Sequence, residues 1–296
     1  MGAFISAIPG ALAQGLIWGI MAIGVYITFR VLDFADLTVD GTLATGGAVL
    51  VITMMNGMNV YVALLLSFIA GCVAGLVTGV LNTLLGIPPG ILTQLALYSV
   101  NLRILGKSNQ ALSIYKYHVL ASMTDITKAI IIVAIFVVAI IAILYWFFDT
   151  ELGHSIRATG CNQNMSRANG INIKFTKIVA LILSNGLVAL AGGLLSQYQG
   201  FADVNMGRGA IVIGLAAVII GEVIFGKIFK NFALRLLAVA FGGIIYYIVM
   251  QFVINLGLNT DDLKLLTAVI VAIFLGIPYI KNQYAQKHIK SKGGNK

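Results

Sequence analysis

Residues 128–148 read KAIIIVAIFVVAIIAILYWFF, and after Lys128 no charged side chain interrupts the run. Crossing the hydrocarbon core of a bilayer takes about 20 predominantly apolar residues, so this stretch is a membrane span. Working outward, the same test picks spans at 11–29, 41–56, 60–86, 91–105, 176–198, 209–225, 232–256 and 263–280. The prediction is an all-α, polytopic membrane protein with about nine (eight to ten) transmembrane helices. Composition agrees. Of 296 residues 59% are hydrophobic and 10% charged, and the mean hydropathy is +0.99. Soluble domains are about 45–50% apolar and about 25% charged. An ordinary cytosolic enzyme, a disordered chain and a small secreted scaffold are thereby excluded.

Several spans are short or interrupted by glycine, notably 41–56 (Gly41, Gly46, Gly47) and 209–225 (Gly209, Gly214, Gly221). Such pieces suit half-helices that rest on protein rather than lipid. The 33 glycines suit close helix packing in a membrane. Ala11-Leu12-Ala13 has the small-residue pattern of a signal cleavage site, but no basic residue precedes it and Pro9 and Gly10 break the apolar run. The first segment is therefore expected to begin the first membrane helix.

No phosphate-binding loop of the G-x-x-x-x-G-K-[ST] type occurs, nor H-E-x-x-H, C-x-x-C or G-x-S-x-G. The 3 histidines (His118, His154, His288) are scattered and the 2 cysteines (Cys72, Cys161) lie far apart. No metal site, disulfide framework or catalytic residue is predicted; the chemistry is passage rather than reaction.

Charge orients the spans. Twelve of the 19 basic residues fall in three segments: Arg157, Arg167, Lys174 and Lys177 in 149–177, Lys227, Lys230 and Arg235 in 226–235, and five lysines in 281–296. Two spans separate each segment from the next, so all three lie on one side, the cytoplasm by the positive-inside rule. The C-terminus is expected there. The intervening loops, 199–208 and 256–262, face outward. With nine spans the N-terminus is outside as well. The basic tail reads as a topology signal and a contact with anionic lipid, not as a nucleic-acid site.

The chain also resembles itself. FADLTVDG at 34–41 matches FADVNMGR at 201–208 at an offset of 167, and Leu85-Gly86-Ile87 matches Leu256-Gly257-Leu258 at an offset of 171. This predicts a duplicated unit, repeat A about 11–105 and repeat B about 176–280, with 128–148 as the connecting span. An odd number of intervening spans inverts the second copy, the pattern of alternating-access transporters. Asp33, Asp36 and Asp40 lie in the first copy and Asp203 in the second. Acids at membrane depth need a partner or a water-filled cavity, and Arg30 and Arg208 stand nearest in sequence. Asp40 also suits a helix N-cap before Gly41 and Thr42. Glu222 is expected to pair with Lys227 or Arg235.

The longest polar run expected on the cytoplasmic side is 149–177, DTELGHSIRATGCNQNMSRANGINIKFTK. Leu152, Ile156 and Thr159 recur at helical spacing, and Gly160 and Gly170 are expected to end short helices. A short amphipathic helix between two spans is the shape needed to dock in a partner's cleft.

The pattern Thr150-x-x-Gly153-x-x-x-Arg157-Ala158-x-Gly160-x-Asn162, followed by Gly170-Ile171-Asn172 and Lys177, resembles the coupling loop of ATP-binding-cassette importer permeases of the branched-chain amino acid and ribose type. Residues 15–30 with LTVDGT at 37–42, LYSVNLR at 97–103 and Ile220-Gly221-Glu222 resemble the subgroup paired with lipoprotein receptors for tryptophan, tyrosine or related small solutes. Residues 107–127 fit no such pattern, and that outer loop reads as receptor-specific.

The resemblance implies a single permease domain over 1–296. It implies a separate cytoplasmic ATPase chain that binds ATP and magnesium, an extracellular solute-binding lipoprotein and a second permease copy, all at a bacterial cell membrane. No cofactor is expected on this chain itself. It implies ATPase coupling through Glu151, Gly153, Arg157, Gly160, Asn162 and Gly170. An amino acid, aromatic in this subgroup, needs apolar and aromatic walls with a few polar groups. Asp36, Asp40, Gln94, Tyr98, Asn101, Gln197 and Asp203 are the candidate pathway residues; Asn185 and Tyr198 share their setting, and polar groups inside such spans more often make helix–helix hydrogen bonds than ligand contacts. The alternative is an ion-coupled secondary transporter, with Asp36, Asp203 and Glu222 as candidate ion ligands.

Overall fold

A computed structural model describes residues 2–255 except Pro89, together with 265, 268, 269, 272 and 276. The predicted span 263–280 and the basic tail 281–296 thus lie largely or wholly outside the described residues. The elements are α1 (Gly2–Tyr26), which runs on into a π-helical turn (Ile27–Val31), α2 (Thr38–Met55), α3 (Val60–Leu85), α4 (Ile91–Leu105), β1 (Asn109–Ala111), α5 (Ile126–Phe148), α6 (Glu151–Cys161), α7 (Gln163–Ala168), α8 (Ile173–Gln199), β2 (Phe201–Asp203), α9 (Ala210–Phe225) and α10 (Phe232–Asn255). Among the described residues six helices are long and apolar enough to cross a membrane, and α4 and α9 are shorter apolar helices. The protein is a mostly helical, polytopic membrane protein. A two-stranded antiparallel ribbon, β1 with β2, is the one departure from an all-α chain among the described residues.

Local chemistry sets the boundaries. The Asn59 side chain accepts the Tyr61 N–H to start α3, and Asn172 accepts the Phe175 N–H to start α8. Left-handed Gly90, whose backbone lies against that of Thr38, brings the start of α4 onto the start of α2. Between α1 and α2 the chain turns through Asp33 at φ 60°, a conformation Asp tolerates better than most residues.

Helix directions follow from which residues meet. Gly71, Gly75 and Gly79 of α3 lie against Asn185, Leu181 and Ile178 of α8, so these helices are antiparallel. Gly15 and Gly19 of α1 lie against Ile244 and Ala240 of α10, an antiparallel pair of the same kind. α2 runs parallel to α8, with Thr42 beside Asn185 and Gly46 beside Ala189. α9 runs opposite to α10, with Ala217 at Gly242 and Gly221 at Ala238. These seams bring backbone to backbone because lipid tails supply no hydrophobic drive between helices, and close van der Waals packing must hold the bundle. The Ser67 hydroxyl sits 3.0 Å from the Gly46 carbonyl and 2.9 Å from that of Ala189, tying α3 to α2 and α8.

The two ends of the bundle differ. One carries the end of α1, the start of α10, α6 and α7. The other carries the β-ribbon and the segment 112–125, pinned by Leu112 N–H to the Gly200 carbonyl, Leu120 N–H to Gln197 and Met123 N–H to the Tyr198 carbonyl. At the first end Arg30 pairs with Glu222 at 2.8 Å. This corrects the expectations that Glu222 pairs with Lys227 or Arg235 and that Arg30 serves the nearby acids. The two helix ends meet in space although 192 residues apart in sequence.

Gly75→Leu forces a branched side chain into the Leu181 backbone, and overpacking of this kind costs about 1–3 kcal/mol. A lowered midpoint in thermal unfolding of the detergent-purified chain is expected. Leu65→Ala on the exposed face of α3 is expected to leave it nearly unchanged.

Candidate functional site

The start of α2 is buried deep in the bundle. Thr38 and Thr42 are fully buried, and Thr42 Oγ1 lies 2.8 Å from Oδ1 of Asn185, which is midway along α8. Asp36, 1% exposed, accepts the Thr38 N–H at 2.9 Å and the Thr38 hydroxyl at 2.5 Å on one oxygen. Its other oxygen accepts Asn185 Nδ2–H at 2.7 Å. The hydroxyls of Thr38, Thr78 and Thr93 continue the network into α3 and α4. Asp36 thus supports the first turn of α2.

Asp40 serves a different helix. It belongs to the first turn of α2, but Oδ2 accepts the Gly209 N–H at 3.0 Å and Oδ1 the Ile211 N–H at 2.9 Å. The carboxylate therefore caps α9, where unpaired N–H groups and the helix dipole favour negative charge. This corrects the expectation that Asp40 caps its own helix: α2 runs past it, and the α9 start faces it. Gln94 Nε2 donates weakly to Oδ2 at 3.4 Å.

Around this junction lies a cavity of about 220 Å³ lined by Asp40, Gly41, Gln94, Leu95, Tyr98, Asn101, Val204 and Arg208. Four predicted pathway residues (Asp40, Gln94, Tyr98, Asn101) come together here. The Asn101 amide donates to the Gly41 carbonyl at 3.2 Å, while its Oδ1 is buried with no hydrogen-bond partner. The Arg208 guanidinium stands 5.9 Å from the centre of the Tyr98 ring, a cation–π distance. The site thus offers an anion, a cation and an aromatic face, with the unpaired Asn101 oxygen buried behind them.

The remaining predicted pathway residues lie elsewhere. Asp36 sits in its threonine network. Gln197, fully buried, accepts the Leu120 N–H at 2.9 Å. Asp203, in β2, accepts from Asn109 Nδ2–H and the Asn205 N–H, so neither Asp36 nor Asp203 pairs with an arginine among the described residues. Val204 and Arg208 join the cavity in addition; both belong to the second copy of the repeated motif, and the sequence suggests Arg208 only as a possible partner for the nearby acids.

The polar loop folds as α6 and α7. Thr150 Oγ1 accepts the Gly153 N–H, and Asn162 Oδ1 accepts the Met165 N–H at 3.0 Å. Ile156 and Thr159 are buried as the spacing predicts, while Leu152 is exposed. Gly153 lies on the Phe147–Phe148 backbone and Gly160 on that of Val31, where a Cβ would collide. α6 ends at Cys161, one residue beyond Gly160, which the sequence suggested as its end. Gly170, at φ 81°, does follow the end of α7. The Arg157 guanidinium stacks 4.2 Å from the Phe232 ring centre and 5.4 Å from that of Phe148. Glu151 and Asn162 are exposed.

The described helices thus pack as an apolar bundle with a small cavity where α2, α4 and the start of α9 meet, and with a short helix pair at one end. The chain belongs to the family of permease components of branched-chain amino acid transport systems, whose model matches residues 7–278. It is 41% identical over 273 residues to a tyrosine transport system permease protein of Clostridioides difficile, covering 91% of this chain and 90% of that one. An uncharacterised protein of Rickettsia prowazekii is 34% identical over 92% of this chain and 97% of its own. A fructose import permease protein of Bifidobacterium longum is 27% identical over 80% of this chain and 68% of its own. No solved structure matches. The chain is therefore an ATP-binding-cassette permease subunit rather than an enzyme, working with a separate ATPase chain and a solute-binding protein in the plasma membrane. Family membership favours this class over the ion-coupled transporter.

Asp40→Ala removes the cap from the Gly209 and Ile211 N–H groups, and loss of a cap costs about 0.5–2 kcal/mol. A lowered thermal midpoint is expected, with Asp40→Asn, which keeps an acceptor oxygen, falling between the two.

Proposed function

We propose that this permease imports an amino acid, aromatic in side chain, received from an extracellular solute-binding lipoprotein, and that two copies of the chain enclose the route. The cavity at Asp40 carries this reading. Arg208 offers a partner for an α-carboxylate, Asp40 offers an acceptor for an α-ammonium, and Tyr98 offers a ring face. The name of the Clostridioides difficile relative supports a tyrosine-like solute. At about 220 Å³ the cavity is smaller than the roughly 300–1,000 Å³ of typical ligand pockets, which suits half of a site completed by a second copy. Tyr98 and Leu95, 43% and 70% exposed, would face that copy.

Helix directions support the inversion of the second repeat; the count of about nine spans is read from the sequence. α1, α2 and α3 alternate in the opposite sense to α8, α9 and α10. Exchanging α1 with α8 and α3 with α10 turns the α1–α10 seam into the α3–α8 seam, as a pseudo-two-fold axis in the membrane plane requires. The ninth span would be 263–280. The positive-inside rule puts α6, α7 and the C-terminus in the cytoplasm and the β-ribbon outside.

Coupling follows from the seat of α6. ATP and magnesium bind the ATPase; its closure would push the exposed surface of α6 and α7, from Glu151 through Asn162 to Gly170. Gly153 and Gly160 would transmit the push to α5 and α1, with Arg157 locking the helix through its aromatic stack.

The full complex in proteoliposomes is expected to take up tyrosine only with receptor and ATP. Tyr98→Ala is expected to cut uptake about tenfold while ATPase association persists. ATP-independent uptake, or uptake unaffected by Tyr98→Ala and Asn101→Ala, overturns the assignment. On the exposed face of α6 and α7, Leu152→Glu with Met165→Glu is expected to weaken co-purification of the ATPase about tenfold or more, since desolvated anchors dominate interfaces. Unchanged co-purification removes this surface from the coupling role.

A further inference from the structure

A second cavity, about 560 Å³, opens at the end of the bundle that carries α6. Arg30, Arg157, Lys230 and Arg235 line it, with Asp149 as its one acid. Arg30 is engaged by Glu222, the sole ion pair among the described residues. Arg157 is held by Phe232 and Phe148, and its Nε is buried without a hydrogen-bond partner. Three cations therefore converge on one space with a single carboxylate among them. Arg235 donates a hydrogen bond to Tyr26 on the cavity wall, and the net positive charge that remains favours an anion there.

The depth of the cavity identifies the anion. Tyr145, on its wall, and the adjacent Trp146, 72% exposed, close the apolar run of α5. Aromatic residues at a span end mark the headgroup level. α5 is also the least buried of the six long helices, at 22% of its most apolar window, so acyl chains have access to its flank. We propose that this cavity binds the phosphate headgroup of an anionic phospholipid, with its acyl chains lying along α5. Basic pockets between membrane helices are suited to this role. Because Arg157 and Cys161 of α6 line the cavity, a bound headgroup touches the helix that faces the cytoplasmic partner. The inference rests on the cavity and the span ends, not on the solute assigned above.

The test is native mass spectrometry of the full-length chain released from detergent with phosphatidylglycerol, phosphatidylethanolamine or inorganic phosphate. Wild type is expected to retain phosphatidylglycerol in preference to phosphatidylethanolamine. Lys230→Gln with Arg235→Gln is expected to lower that retention about tenfold or more, each cation near a membrane surface contributing a severalfold factor. Lys227→Gln, outside the cavity, is expected to leave retention unchanged, and Arg235→Lys to preserve most of it, which separates charge from folding. Equal retention of the two lipids, or equal retention by wild type and the double variant, overturns the proposal. So does displacement of the lipid by inorganic phosphate, which would mark a site for a free anion.

Discussion

One carboxylate ties the start of α2 to the start of α9. Asp40 projects from the first turn of α2 and takes the N–H groups of Gly209 and Ile211 at the start of α9. Without it, the N–H groups at the start of α9 lose their acceptor, and unpaired donors in a partly buried site are costly. The interaction also fixes where the cavity forms. The α9 start and the α4 face carrying Gln94, Tyr98 and Asn101 are brought to the same point, and Arg208 arrives with the turn before α9. A structural cap and a candidate solute site are therefore one piece of chemistry, and movement between α2 and α9 must change both.

The rest of the bundle is built to let backbones approach. In the α3–α8 and α1–α10 seams the glycines of α3 and α1 meet the partner helix at its backbone, and serine and threonine hydroxyls supply cross-links. The Asp36–Thr38–Asn185 network shows the limit of this approach. A buried carboxylate is tolerated because three donor groups satisfy it, and its neighbours extend the bonding into α3 and α4. The same device seats α6. Gly153 and Gly160 bring that helix onto α5 and the π-helical turn of α1.

Much of this was legible in the chain. The predicted spans 60–86 and 91–105 coincide with Val60–Leu85 and Ile91–Leu105, because apolar length and flanking glycine are local signals. Ile156 and Thr159 face inward as their spacing requires. The repeated motif, however, misled as to environment: Asp36 is buried in a network while Asp203 lies in the β-ribbon bonded to Asn109. The Arg30–Glu222 pair lay beyond any reading by proximity, since its members are 192 residues apart.

The sequence by itself determined that this is a membrane protein, where most of its helices begin and end, and which polar loop leaves the bundle as a helix pair. These follow from hydropathy and capping, which act within a few residues. Only the tertiary structure decided which helix Asp40 caps, that Gln94, Tyr98 and Asn101 share a cavity while Gln197 does not, and that basic residues from α1, α6 and α10 converge. Those outcomes depend on which helices cross and in what direction, and close backbone packing at small residues sets that crossing.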